Sequence, residues 1–309
     1  PSGVVIEDCL IEEVNYGIAV AKLQGGTPTD PSVTIRNCTI QHCEETGIEI
    51  DNGAPLESPD PSTIAQGEGN LLENNTIIDA NTGLSLGGGY TVIRNCTVLA
   101  SRGEGFDVDL DGDRGTQPIT GILESTAFIG SGGDGVRIDE GFVDLSHCIV
   151  AGNGSEGIHL RESGNETMVT ADHCDVYRNL QLDPESFYEV LVDVGEAALI
   201  QLRITNSNVV GMAGLYNGSL EDPGYFDPEG LFATYCNVFV DAERYTNVVV
   251  EDDLEFDPMY VNPVTDPDEF TREGFELESG SPAIGAGEDG TYIGSQGQAA
   301  VGVDDWPIH

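Results

Sequence analysis

The chain has 309 residues and a net charge of −44, from 55 acidic and 11 basic residues, of which only Lys22 is a lysine. This balance argues against double-stranded nucleic acid and anionic membrane surfaces as partners, because both need clustered cations, and no run of 18 apolar residues provides a membrane span. At 39% hydrophobic and 21% charged the chain can build a large core, and its acidity suits either a saline setting or an extracellular space rich in divalent cations.

The chain opens at Pro1-Ser2-Gly3 and is in a strand by Val4, with no N-terminal cap and no export signal. It reads as a mature or excised part of a longer precursor, so the missing signal says little about export. Beyond this point the sequence repeats. Val33-Thr34-Ile35-Arg36-Asn37-Cys38-Thr39-Ile40 returns as Thr91-Val92-Ile93-Arg94-Asn95-Cys96-Thr97-Val98. Looser copies align on Cys9, Cys38, Asn75, Cys96, Thr126, Cys148, Cys174, Ser207 and Cys236, at intervals of 21 to 37 residues. Most copies are followed by Gly-apolar-x-apolar, as in Gly17-Ile18-Ala19-Val20, Gly47-Ile48-Glu49-Ile50, Gly105-Phe106-Asp107-Val108, Gly135-Val136-Arg137-Ile138 and Gly157-Ile158-His159-Leu160. Period-two alternation means strands with one buried face. Strands this short need neighbours above and below, which stacked coils about 4.8 Å apart supply.

Six of the seven cysteines occupy one repeat position. Spacing set by the coil period points to a buried internal stack and not to disulfides or zinc. Cys43 is the exception, but its neighbour His42 must face the other way along a strand. The residue before each register position is Asp8, Asn37, Asn74, Asn95, Ser125, His147, His173, Asn206 or Tyr235. Such side chains suit a hydrogen-bonded ladder at a repeated turn. His147 and His173 are therefore expected as ladder members, and Asn37 and Asn95 as ladder residues instead of glycosylation sites.

This unit resembles the repeat of right-handed parallel β-helix proteins of the pectin-lyase-like superfamily, across residues 4 to about 250. The expected fold is all-β, a single-stranded right-handed parallel β-helix of about nine coils over residues 1–250, with an irregular C-terminal cap over 251–309. The motifs Phe256-Asp257-Pro258, Phe275-Glu276-Leu277, Ser279-Gly280-Ser281-Pro282-Ala283-Ile284-Gly285 and Tyr292-Ile293-Gly294 are similar to the C-terminal segment of secreted bacterial and archaeal β-helix surface proteins. Such a tail can cover the last coil's open edge. The resemblance implies an extracellular or cell-surface location, with the chain standing alone or as part of a longer surface protein or fibre. It also implies a polysaccharide partner lying along the outer face of the Gly-Ile sheet.

On that face, the second residue after each glycine forms one outward column: Ala19, Glu49, Ser85, Asp107, Arg137, His159. The fourth forms another: Ala21, Asp51, Gly87, Asp109, Asp139, Arg161. Asp107, Asp109, Arg137, Asp139, His159 and Arg161 are the candidate catalytic residues. Glu49 and Asp51 extend the face as substrate contacts. Paired carboxylates suit glycoside hydrolysis. Carboxylates holding Ca²⁺, with Arg137 or His159 as base, suit β-elimination of a uronate, and the same proton abstraction followed by re-protonation is epimerisation. An ordinary charged strand face, with Arg offsetting Asp, is the alternative that needs no substrate. Asp107, Asp109, Asp111 and Asp113, followed through Gly112, match the start of a calcium loop; Pro118 at the twelfth place excludes an EF-hand, and a solvated acidic turn is the other reading. The loops at 51–69 and 211–230 are candidate cleft walls, the second bringing Tyr216 and Tyr225 as sugar-stacking contacts, though aromatics in long loops also serve to pin the loop down.

Overall fold

The computed structural model describes residues 3–21, 32–51, 69–108, 119–161, 166–179, 188–194, 199–219, 226–241 and 244–296. Each coil contributes one strand to each of three sheets, which hold ten, nine and nine strands among the described residues. Neighbouring strands pair in parallel from the first coil, where Val4 lies opposite Val33, to the last, where Phe232 lies opposite Val249. Inward apolar residues from all three sheets fill the interior; in the second coil Ile35, Ile40 and Ile48 are fully buried. This is the parallel β-helix expected from the repeat.

The corner between the first and second sheets explains the repeat's Asn-Cys signature. The chain turns there through one left-handed residue per coil, at Asp8, Asn37, Asn74, Asn95, Ser125, His147, His173, Asn206 and Tyr235, with φ between +47° and +54°. Asn and Asp tolerate this conformation because their side chains bond locally. Asn37 Nδ2 donates to Asp8 Oδ1 at 3.1 Å, and Asn74 Nδ2 to Asn37 Oδ1 at 3.3 Å. Farther along, the rings of His147 and His173 stack at 5.2 Å. All seven cysteines are free thiols, and all but Cys9 are buried. Cys43 points inward, while His42 is exposed and bonds Asp79 at 2.9 Å.

A second left-handed column, not read from the sequence, lies between the second and third sheets. It runs through Glu13, His42, Asp79, Ala100, Gly130, Gly152 and Arg178, with φ between +48° and +67°. Just after it stands an interior polar ladder. Asn153 Nδ2 donates to Asn179 Oδ1, and Asn179 Nδ2 to Glu189 Oε2, both at 2.8 Å.

The C-terminal segment begins as a further partial coil, with Val249–Glu251 added to the first sheet and Leu254 bridged to Asn237. From there it turns back. Where the sequence suggested cover for the last coil's edge, most of the segment lies as a strap along the outer face of the second sheet. Tyr260, Phe275, Leu277, Ala283 and Ile293 pack on Ala127, Ile129, Ile149, Ala151, Tyr177 and Val210. Pro267 and Thr265 pass so close over Gly130 and Gly152 that a Cβ at either glycine would collide with them. Arg272 reaches the Cys96 carbonyl at 2.6 Å, several coils back from the end. The buried Asp175 carboxylate accepts bonds from Tyr260 OH, Asn208 Nδ2 at 2.9 Å, and Ser295 N and Oγ at 2.8 and 2.6 Å.

Candidate functional site

The third sheet carries the Gly-Ile strands, including Ile18–Ala21, Thr46–Asp51, Thr82–Gly88, Phe106–Val108, Val136–Ile138 and Ile158–Leu160. It continues through Val190–Asp193, Leu215–Gly218 and Tyr245–Thr246. Its register places the first outward column as expected. Ala19 lies opposite Glu49, Glu49 opposite Ser85, Ser85 opposite Asp107, Asp107 opposite Arg137, and Arg137 opposite His159. Leu191 and Tyr216 extend the column beyond His159. Tyr216 is thus on the sheet itself, where the sequence reading had placed it on a loop wall.

The second column is less regular. A bulge after Ile50 sets Asp51 opposite Gly88 instead of Gly87, and Asp51 is buried. Asp139 and Arg161 follow their strands directly, through Asp139 N to Val108 O at 2.9 Å and Arg161 N to Ile138 O at 3.0 Å. Asp109, Asp111, Asp113 and Tyr225 lie outside the described residues.

Arg137 is the hub of the patch. Its guanidinium grips Asp107 through both carboxylate oxygens, at 3.0 and 3.1 Å, and donates to Glu104 Oε1 at 2.6 Å. Asp139 Oδ1 lies 3.8 Å from Nε. Although burial works to discharge it, these carboxylates hold the guanidinium's pKa above its ordinary value. Burial in turn lifts the Asp107 carboxyl to about 6, against the pull of Arg137. Both oxygens of Asp107, the first residue of the acidic run, are thus engaged by Arg137.

A second cluster adjoins it. His159 Nδ1 lies 2.9 Å from Asp134 Oδ2 and 4.0 Å from Glu156 Oε2. The side chains of His159, Asp134 and Glu156 are only 11%, 9% and 6% exposed. Against its burial, the bond and charge of His159 hold Asp134 below the usual carboxylate range. Burial, and then the neighbouring Asp134, push Glu156 up to about 7. One carboxyl is thus kept charged while its neighbour holds its proton in about half of the molecules at neutrality, a division of labour that suits acid-assisted bond cleavage. One donor atom from each of the three residues falls within 4.8 Å of the others, so the cluster also has the donors for a metal ion, though an imidazole favours a transition metal over calcium.

Glu104, Asp134 and Glu156 fall outside the two outward columns, which begin after each glycine. Each immediately precedes the glycine of its strand: Glu104-Gly105, Asp134-Gly135 and Glu156-Gly157. That shared offset was the available signal. Beyond the charged patch, the rings of Tyr188 and Tyr216 pack at 4.6 Å, tilted by 32°. The exposed face therefore passes from paired charges to an aromatic platform.

Stacked parallel coils with left-handed residues at two of their three corners and an outward column of ionisable groups define a repetitive β-helix. Two overlapping stretches, residues 32–181 and 87–210, match the right-handed β-helix region family. These stretches cover more than half of the chain, which belongs to this family. No curated protein matches the sequence.

Proposed function

We propose that this chain is an extracellular or cell-surface carbohydrate-active protein, which binds a neutral polysaccharide along the third sheet between Glu104 and Tyr216 and hydrolyses it there. The observation that carries this reading is the buried cluster of His159, Asp134 and Glu156 beside the outward column, in which burial and Asp134 push the Glu156 carboxyl up to about 7 while Asp134 is held low. Glu156 gives its proton to the glycosidic oxygen, which leaves as a hydroxyl, and water then adds to the ring carbon and returns a proton to the Glu156 carboxylate. The carboxylates of Asp134 and Asp107 stabilise the positive charge that develops on the sugar ring, and Tyr188 and Tyr216 offer a stacking surface for an adjoining ring. Electrostatics favour hydrolysis over elimination or epimerisation of a uronate. Those routes build negative charge in a region already rich in carboxylates, and Arg137, held as a cation by three of them, is a poor base.

The test is release of reducing ends from a panel of neutral polysaccharides by the parent and by Glu156→Gln. We expect activity on at least one polymer and a loss of about a hundredfold or more in the variant. No release from any polymer, or equal rates in both proteins, would overturn the reading.

A second reading is a non-catalytic surface module. It is supported by ion pairs that are complete without a substrate, with Arg137 joined to Asp107 and Glu104, and Asp134 to His159. Calcium belongs to this reading as a stabiliser held by the acidic run Asp107, Asp109, Asp111 and Asp113. A calcium titration of Asp109→Ala against the parent tests it, and identical binding removes it.

A further inference from the structure

We propose that a cleft between the C-terminal strap and the second sheet is a separate binding site for a short neutral saccharide. The choice of ligand rests on the polysaccharide reading above, but no residue of the third-sheet site takes part. The cleft holds about 350 Å³, within the span of small-ligand sites. Tyr177 lies in it, almost wholly buried, while Phe239 and Met259 beside it remain 41% and 37% exposed. Phe239 and Met259 are thus presented to the occupant, whereas the Tyr177 ring is packed edge-on against Tyr260 and Phe275 of the strap.

The polar lining decides what that occupant is. Arg178 sits with its guanidinium 5.3 Å from the centre of the Tyr177 ring, and the carboxylates of Asp257 and Glu278 share the cleft. Asp257 Oδ1 already accepts from Met259 N at 2.9 Å, but a hydrocarbon ligand would still dehydrate a lining that carries charge and supply no hydrogen bond of its own. An anion meets two carboxylates and one guanidinium, within a chain of net charge −44. A pyranose fits both halves of the lining. Its C–H face covers an aromatic ring, and its rim of hydroxyls donates to carboxylates and accepts from a guanidinium. The cleft then anchors a glycan chain on the flank next to the third sheet, separately from any cleavage.

The test is calorimetric titration of the full chain with cellobiose, maltose and mannobiose, with n-butylammonium as the cationic competitor. It is repeated on Phe239→Ala, Glu278→Gln and Glu156→Gln. We expect saturable binding of at least one disaccharide, weakened about tenfold by Phe239→Ala, which removes the exposed ring. Glu278→Gln, at an exposed position, should also weaken it, and Glu156→Gln should leave it unchanged. Disaccharide binding lost in Glu156→Gln and untouched in Phe239→Ala would move the site to the third sheet and overturn this inference while the hydrolase reading stands. Binding sensitive to Phe239 in a protein that releases no reducing ends would leave the cleft standing and remove the hydrolase. Binding of butylammonium alone, or of no disaccharide, overturns the cleft assignment.

Discussion

Replacing Glu189 by glutamine should make the helix progressively more stable than the parent as pH rises. Glu189 is fully buried at the end of the interior polar ladder, where its Oε2 accepts from Asn179 N at 3.0 Å and Nδ2 at 2.8 Å. Burial pushes its carboxyl up to about 7 from an ordinary 4.5, against the pull of the Asn179 bonds. With the folded-state value raised, the carboxyl's stabilising contribution is complete below about 4.5 and is lost as pH climbs through about 7. Each tenfold change in that equilibrium is worth about 1.4 kcal/mol, so ionisation costs the folded state roughly 3 kcal/mol by pH 8.5. Glutamine keeps an oxygen for Asn179 and cannot ionise. Denaturant midpoints of parent and Glu189→Gln, compared at pH 5 and pH 8.5, isolate this group from the other carboxylates, which both proteins share. Because part of the loss is already present at pH 5, the gap between the two should widen in the variant's favour by about 2.5 kcal/mol. A gap that stays the same at both pH values would refute the reasoning, whatever its absolute size.

Arg137→Ala leaves Glu104, Asp107 and Asp139 facing one another without their shared cation. It should destabilise the fold by about 3 kcal/mol at pH 8, and by less at pH 5, where Asp107 takes up a proton through its value of about 6; paired denaturation curves check both points. Asp175→Ala orphans the Tyr260 hydroxyl and the Ser295 amide that hold the strap. Limited proteolysis should then cut between residues 257 and 295 well before the coils, whereas the parent resists at both places.

The fold was legible because its physics is periodic. Burial on one strand face recurs every second residue, and the left-handed corner selects Asn, Asp or His just before a small buried residue. Asn37-Cys38 and Asn95-Cys96 therefore gave the register directly, and the register put Asp107, Arg137 and His159 side by side. The site was half legible for the same reason. Outward positions inside a strand follow from alternation, but Asp134 and Glu156 stand at the turn before it, where alternation no longer says which way a side chain points. The bulge that shifts Asp51 to face Gly88 has no signal in the pattern Gly47-Ile48-Glu49-Ile50-Asp51. The path of the strap was hidden too, because it depends on one buried acid, Asp175, meeting Tyr260 and Ser295 far along the chain.

Hydrolysis on the outer face of the third sheet requires a carboxyl that still holds a proton close to neutrality, and Glu156 is that group. Carbon-13 NMR titration of glutamate side-chain carboxyls, with Glu156 assigned by its disappearance in Glu156→Gln, reads this without knowledge of any substrate. A midpoint near 7 is the expected result. A midpoint at the ordinary glutamate value near 4.5 would leave the face without its acid and contradict the proposed chemistry.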